Sequence, residues 1–298
     1  MLTGAYVNLH DLLALRFSRA NPGRGRRQQR MTGHRAGAKL SNIKGRGVDL
    51  AEVRIYQPGD DVRSMDWRVT ARTNKPHTKV FREERERPAL LVIDQSQSMF
   101  FGSQIRLKSV AAAELGARVA WQTLSLGDRV GGIVVGNDAS YIHKPYRSNR
   151  NVARLLGDIA RTNQALARDT RRADNDAEEY LWQVRRLARS NFRIVIISDF
   201  NGPLSLWQDH LHHLARSNQV SVMHVSDPIE AELPPADHYQ VTHQGSRMAF
   251  YSGNTSTRER YRTRFAQRKE AVEHMCQHEN MQYLHISTNL QQRDMTLV

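Results

Sequence analysis

The sequence predicts an α/β protein built on a mainly parallel sheet with helices on both faces. Two β-branched, mostly apolar runs, Ala89–Ile93 and Phe192–Ile197, have the character of parallel strands buried on both faces. From residue 88 onward strand and helix signals alternate in the order β-α-β-β-α-α-β-α-β-α-β, the pattern of such a sheet. The chain has 298 residues, 39% of them hydrophobic, enough to enclose a core at this length.

Each element has its own signal. Residues 105–124 place apolar side chains at 107, 110, 111, 115 and 119, a helical period, and Gly127-Asp128 punctuates the end. Val130–Val135 and Ser140–His143 read as an antiparallel pair turning at Gly136-Asn137-Asp138. Helical periodicity returns at Val152–Ile159 and Tyr180–Leu187, ahead of the strand Phe192–Ile197. Leu204–Leu214 reads as a helix and Gln219–Val225 as a strand. Pro228–Pro235 breaks the alternation, and a small hairpin insertion follows at about 236–252, turning at Gln244-Gly245. Thr257–Gln277 is a long charged helix, and Met281–Ile286 a last strand.

Charge is distributed unevenly. The formal net charge is +14, and ten Lys or Arg side chains fall between Arg16 and Arg46 with no acid among them, leaving +4 for the rest. Glycines at 23, 25, 33, 37, 45 and 47 and few large apolar residues make 1–47 read as a basic N-terminal arm. Residues 48–87 then form a segment expected to pack on the main domain, 88–298. Arg24, Arg26, Arg27, Arg30 and Arg35 are the arm's candidate partner-binding residues. An acidic protein surface, a phosphate backbone or an anionic lipid surface would each suit them, and a solvated tether is the bland reading. Aromatic interleaving, which single-strand nucleic-acid binders use, is sparse: Phe17 stands alone there.

No apolar run approaches the ~18 residues of a membrane span. Asp11, Arg16 and Arg19 interrupt any secretory-signal pattern in residues 1–20. The single cysteine, Cys276, suits a reducing compartment, so a cytoplasmic protein is expected.

The sharpest chemical feature is Asp94-Gln95-Ser96-Gln97-Ser98, at the carboxyl end of the first buried strand, where open α/β sheets bind ligands. A carboxylate and two hydroxyls at alternate positions can turn toward one point, and hard oxygen donors suit Mg²⁺, Mn²⁺ or Ca²⁺. The second buried strand ends in Ser198-Asp199. If the two strands are neighbours, Asp199 faces Asp94, and a divalent cation relieves their repulsion. Aspartyl phosphotransferases place a second Asp two residues after the first, where this chain has Ser96. No Lys or His in these loops reads as a general base, and the phosphate-binding loop G-x-x-x-x-G-K-[ST] is absent. A metal-dependent phosphohydrolase is therefore the least favoured reading.

Upstream, Arg54 to Arg63, Met65-Asp66-Trp67-Arg68 and Ala71-Arg72 gather acids and arginines around a Pro58-Gly59 turn signal. A docking surface is one reading. The favoured one is an ion-paired lid with Trp67 as its apolar anchor. His210, His212 and His213 read as a solvated helix face, and His274 and His278 flank Cys276 without a zinc pattern.

The run from Gly45 to Met99, with R-x-Y-x-P-G-D-D-x-R, D-W-x-x-T-A-R, E-E-R-E-R-P and D-Q-S-Q-S-M, resembles the domain-of-unknown-function 58 family. The likeness continues through Ser198-Asp199-Phe200 and Asp227-x-x-Glu230-x-Glu232-Leu233-Pro234. The resemblance implies a von Willebrand factor A-like, Rossmann-like domain with a metal-ion-dependent adhesion site. Asp94, Ser96 and Ser98 match that site's first motif and Asp199 its late aspartate, with Mg²⁺ the expected ion. A threonine normally completes the set. At the expected place this chain has Asp174-Asn175-Asp176, so Asp174, Asn175 or the off-register Thr162 is the candidate fifth ligand. The resemblance also implies a MoxR-type AAA+ ATPase partner and a client protein offering a carboxylate. The resulting expectation is a non-enzymatic, metal-dependent interaction adaptor. Nucleic-acid binding through the 16–46 arm is the alternative.

Overall fold

A computed structural model describes residues 1–17, 48–83, 87–167, 177–243 and 246–289. Two compact units divide the chain, one of Met1–Arg19 with Arg87–Val298, the other of Ala20–Glu86. Helix α1 (Leu9–Ala14) opens the larger unit. In the smaller one, β1 (Val48–Ile55) and β2 (His77–Glu83) pair antiparallel around α2 (Trp67–Thr73). Asp66 caps α2 by accepting from the backbone N–H groups of Arg68 and Val69, as short polar residues do at a helix start. Gly59, at φ +108°, supplies the left-handed position of the Pro58-Gly59 turn, which Asp60 N–H closes onto Gln57 O at 3.0 Å. Trp67 is 66% exposed, which corrects its expected role as an apolar anchor. It stands at the first position of α2.

The larger unit continues with β3 (Ala89–Asp94), α3 (Lys108–Ser125), β4 (Val130–Val135) and β5 (Ser140–Tyr146). Then come α4 (Asn149–Gln164), α5 (Ala177–Leu187), β6 (Arg193–Ser198), α6 (Leu204–Ala215) and β7 (Gln219–Ser226). After the one-turn α7 (Pro228–Ala231), β8 (His238–His243) and β9 (Ser246–Tyr251) form the hairpin. Helix α8 (Thr255–Met275) and β10 (Met281–Ser287) complete the unit. The six-stranded sheet runs β10-β7-β6-β3-β4-β5, parallel except for the antiparallel edge strand β5. This is the mainly parallel α/β sheet that the sequence predicts. Strand order reverses between β3 and β6, creating the crevice where ligands sit in open sheets.

Strand alternation builds two cores. Leu91, Ile93, Val195 and Ile197 face α3 and α4, while Leu90, Val92, Ile194 and Ile196 face the layer containing α5 and α6. Gly116 lets α3 lie close on the sheet, since a Cβ there would meet Ile93 Cγ1 at 2.9 Å. Helix α3 is buried nearly all round, which requires a cover on its outer side. Residues 1–17 supply it: Val7, Leu12 and Leu15 join this core, and Trp121 Nε1 donates to Leu12 O at 3.1 Å. The expected arm of 1–47 therefore does not begin at residue 1, because the apolar residues of 1–17 pack before the basic run starts. The rest of the expected arm, with Arg24, Arg26, Arg27, Arg30 and Arg35, lies outside the described residues.

Helix α6 brings a second correction. His210 is buried, with its ring edge-to-face on Trp182 at 5.3 Å, so it is not on a solvated face. His212 Nε2 lies 3.0 Å from Met275 O at the end of α8.

Candidate metal centre at the sheet crevice

Register alone brings the two aspartates together. Ile93 pairs with Ile197 in the parallel β3–β6 ladder, so Asp94 and Ser198 stand level at the strand ends and Asp199 follows one residue on. Ser198 Oγ donates to Asp94 Oδ2 at 2.6 Å, and Ser96 N–H donates to Asp94 Oδ1 at 2.9 Å. The loop curls so that Ser96 Oγ lies 3.2 Å from Ser98 Oγ, and Ser98 Oγ donates to Asp199 Oδ1 at 3.2 Å. Asn201 N–H also donates to that oxygen, at 3.0 Å. Asp94, Ser96, Ser98 and Asp199 thus form one cluster, as the spacing of the sequence anticipated.

Neighbouring helices fix this loop. Gln95 Nε2 donates to Ser109 O on α3, and Asn163 Nδ2 on α4 donates to Gln95 Oε1, each at 2.9 Å. Asn163 Oδ1 in turn accepts from Val7 N–H at 2.8 Å, so the N-terminal segment helps hold the loop. On the other side Phe200 adopts φ +50°, a left-handed conformation that costs an aromatic residue on the order of 1 kcal/mol or more. Its fully buried ring, 4.7 Å from Trp207 and 5.9 Å from His224, holds it there.

Thr162 packs beside Gly136, near the end of β4. Its buried hydroxyl has no hydrogen-bond partner among the described residues. Asp174 and Asn175 lie outside the described residues.

Sequence reasoning missed Lys108, Ser198 and Glu230. Lys108 Nζ donates to Asp199 Oδ2 at 2.9 Å and to Glu230 Oε1 at 2.7 Å, so an amine does enter the cluster, from the start of α3 and not from the loops. Glu230 Oε2 accepts from Asp227 N–H at 2.8 Å, closing the capping box of α7. Asp227, fully buried, also accepts from Thr288 Oγ1 at 2.6 Å and from the Ser103 hydroxyl. The D-x-x-E spacing was the available signal for that cap. For Lys108 there was none, because its partners lie 91 and 122 residues away.

Electrostatics separate the two aspartates. Burial, and then the charge of Asp199, push the Asp94 carboxyl above its ordinary value. Burial acts in the same sense on Asp199, but the Lys108 charge and the hydrogen bonds outweigh it and hold Asp199 below the ordinary value. Burial alone would lower the Lys108 amine; Asp199 and Glu230 together raise it instead. Beside this cluster, Asp199, His224, Glu230, Tyr261, Arg264 and Phe265 line a cleft of about 240 Å³.

The donor set fits a hard divalent cation. Octahedral Mg²⁺ holds oxygens at about 2.1 Å, which places adjacent ligands about 3.0 Å apart. The Ser96–Ser98 and Ser98–Asp199 oxygen separations, both 3.2 Å, are close to that edge. Among the described residues no three His, Cys, Asp or Glu side chains gather to hold a metal; here two acids are completed by hydroxyls. Nor is any helix among the described residues long and apolar enough to cross a membrane.

The profile of the family described as "Protein of unknown function DUF58" matches residues 52–271. The chain is 36% identical over 208 residues to a protein of Mycobacterium tuberculosis described as "Uncharacterized protein Rv1480". That match spans 70% of this chain and 64% of the mycobacterial protein's length. Among solved structures, the conserved hypothetical protein BatB from Bacteroides thetaiotaomicron is 14% identical, with TM-score 0.39 over 67% of this chain and 88% of that one. The SpRpn10 VWA domain is 11% identical, with TM-score 0.35 over 70% and 91%.

Proposed function

Because the chain belongs to the family described as protein of unknown function DUF58, and its sheet is von Willebrand factor A-like, we propose that it is a metal-dependent protein-interaction adaptor. The observation that carries this reading is the convergence of Asp94, Ser96, Ser98 and Asp199 at the sheet's switch point. Ser96 and Ser98 would offer hydroxyl oxygens directly to Mg²⁺, and Asp94 and Asp199 would balance its charge. When bound, the ion supplies an electrophilic position for a carboxylate of the client protein. The chain's own part is positional: Gln95 and Asn163 clamp the loop, and Ser198 orients Asp94. Lys108 is held protonated between two acids, so it lacks the lone pair of a general base. That favours binding over turnover.

The partner implied by the family resemblance is a MoxR-type AAA+ ATPase, and the test uses one. The full chain, immobilised, is presented with the purified ATPase in Mg²⁺ and again in chelator. Capture in Mg²⁺, lost in chelator and lost with Asp94→Ala, is expected. Equal capture by both chains in chelator would refute metal dependence.

A further inference from the structure

Lys108 lies at the start of α3, yet its side chain is only 3% exposed. A buried ammonium persists only where acids neutralise it, and two buried carboxylates at adjacent strand ends equally need a cation. Here each condition meets the other. Asp199 presents Oδ1 to Ser98 and Oδ2 to Lys108, so one carboxylate is shared between the oxygen cluster and the amine. Glu230 holds the far side of the amine, fixed in turn by the Asp227 N–H. The Phe101 ring, 5.6 Å from Nζ, shields the ammonium further.

We propose that Lys108 is a tethered counter-cation of the oxygen site, competing with a divalent ion for Asp199. This inference rests on the reading of Asp94, Ser96, Ser98 and Asp199 as metal ligands. Without an ion, the ammonium neutralises Asp199, and the crevice folds without a metal. With an ion bound, its charge repels Lys108, whose hydrogen bonds then shift to Glu230 while Asp199 turns to the metal. The tether makes occupancy conditional: only an ion or an ion-partner pair that outcompetes a built-in charge fills the site.

Mn²⁺ binding to the full chain, followed by the paramagnetic resonance signal of the free ion, tests this. Lys108→Gln keeps a donor and removes the charge, and is expected to bind at least about ten-fold more tightly than wild type, a conservative figure for a like charge within a few ångströms. Lys108→Arg keeps the charge and is expected to match wild type. Wild type itself is expected at the weak end of oxygen-ligand sites, with a dissociation constant above about 0.1 mM. Equal affinity of wild type and Lys108→Gln overturns the competition and leaves the metal site standing. No binding by any chain at millimolar Mn²⁺ overturns the metal site itself, and the competition with it. Should Lys108→Gln fold only in Mn²⁺, its metal-dependent thermal transition supports the proposal. Should it not fold at all, the wild-type constant decides: weaker than about 0.1 mM supports the tether, tighter overturns it.

Discussion

Acidification from pH 7 to pH 5 is expected to destabilise the larger unit through His224 on β7. The side chain is 4% exposed, with Nδ1 3.0 Å from the Tyr283 hydroxyl and its ring beside those of Phe200 and His285. Burial first, then the neighbouring His285, lower its imidazole from 6.5 to about 4. The folded value lies below the unfolded one, so the unfolded chain takes up the proton first. The stability of the neutral, buried ring is therefore full above about pH 6.5 and is lost as pH falls toward 4. Linkage between those two values gives a loss of about 2 kcal/mol from pH 7 to pH 5, against a total of roughly 5–15 kcal/mol for a typical domain. Urea unfolding of wild type and His224→Phe at both pH values measures it. Phe keeps the ring volume and cannot titrate; the lost contact with Tyr283 weakens the variant at both pH values alike. His285, also lowered by burial, contributes to both chains. The variant is expected to lose about 2 kcal/mol less than wild type between pH 7 and pH 5. Equal losses would refute the reasoning.

Glu114, 1% exposed, accepts from Leu2 N–H, Arg106 and Arg118. Glu114→Ala leaves the equally buried Arg106 guanidinium without its acid and is expected to cost about 3–5 kcal/mol. Limited proteolysis should then cut within residues 1–17 first, and a loss below about 1 kcal/mol in a urea melt would contradict the burial. Trp67→Ala, at a 66% exposed ring, is expected to move stability by no more than about 0.5 kcal/mol. A thermal shift equivalent to 2 kcal/mol or more would show that the ring is covered in solution.

How much of this could be read from the residues depends on the distance over which each interaction acts. The sheet was legible because fully apolar runs such as Ala89–Ile93 are short-range signals, and the alternation of strands and helices restricts the topology. Asp94 and Asp199 followed at once, since a strand's last residue is fixed by where its apolar run stops. Ser198, one residue earlier, turned out to be the direct partner of Asp94, a detail that needs the β3–β6 register. Lys108 was not legible: a lysine at a helix start reads as solvated until the strand-end acids are placed around it. Residues 1–17 depart from the expected arm for a different reason. The basic run from Arg16 set the character of the whole segment, although Val7, Leu12 and Leu15 already offered an apolar face for α3. Trp67 is 66% exposed, and single exposed aromatics are ordinary at protein surfaces, so ring size alone does not indicate burial.

Everything proposed for the crevice depends on Asp94, Ser96, Ser98 and Asp199 holding a divalent ion. Diffraction from crystals soaked in Mn²⁺, recorded to locate its anomalous scattering, tests it most directly. The account predicts a peak between the Ser96 and Ser98 hydroxyls, about 2.2 Å from each as hard oxygen ligands require, and no such peak in Asp94→Ala crystals. A map without that peak at saturating Mn²⁺, or with the ion seated on other residues, would contradict it.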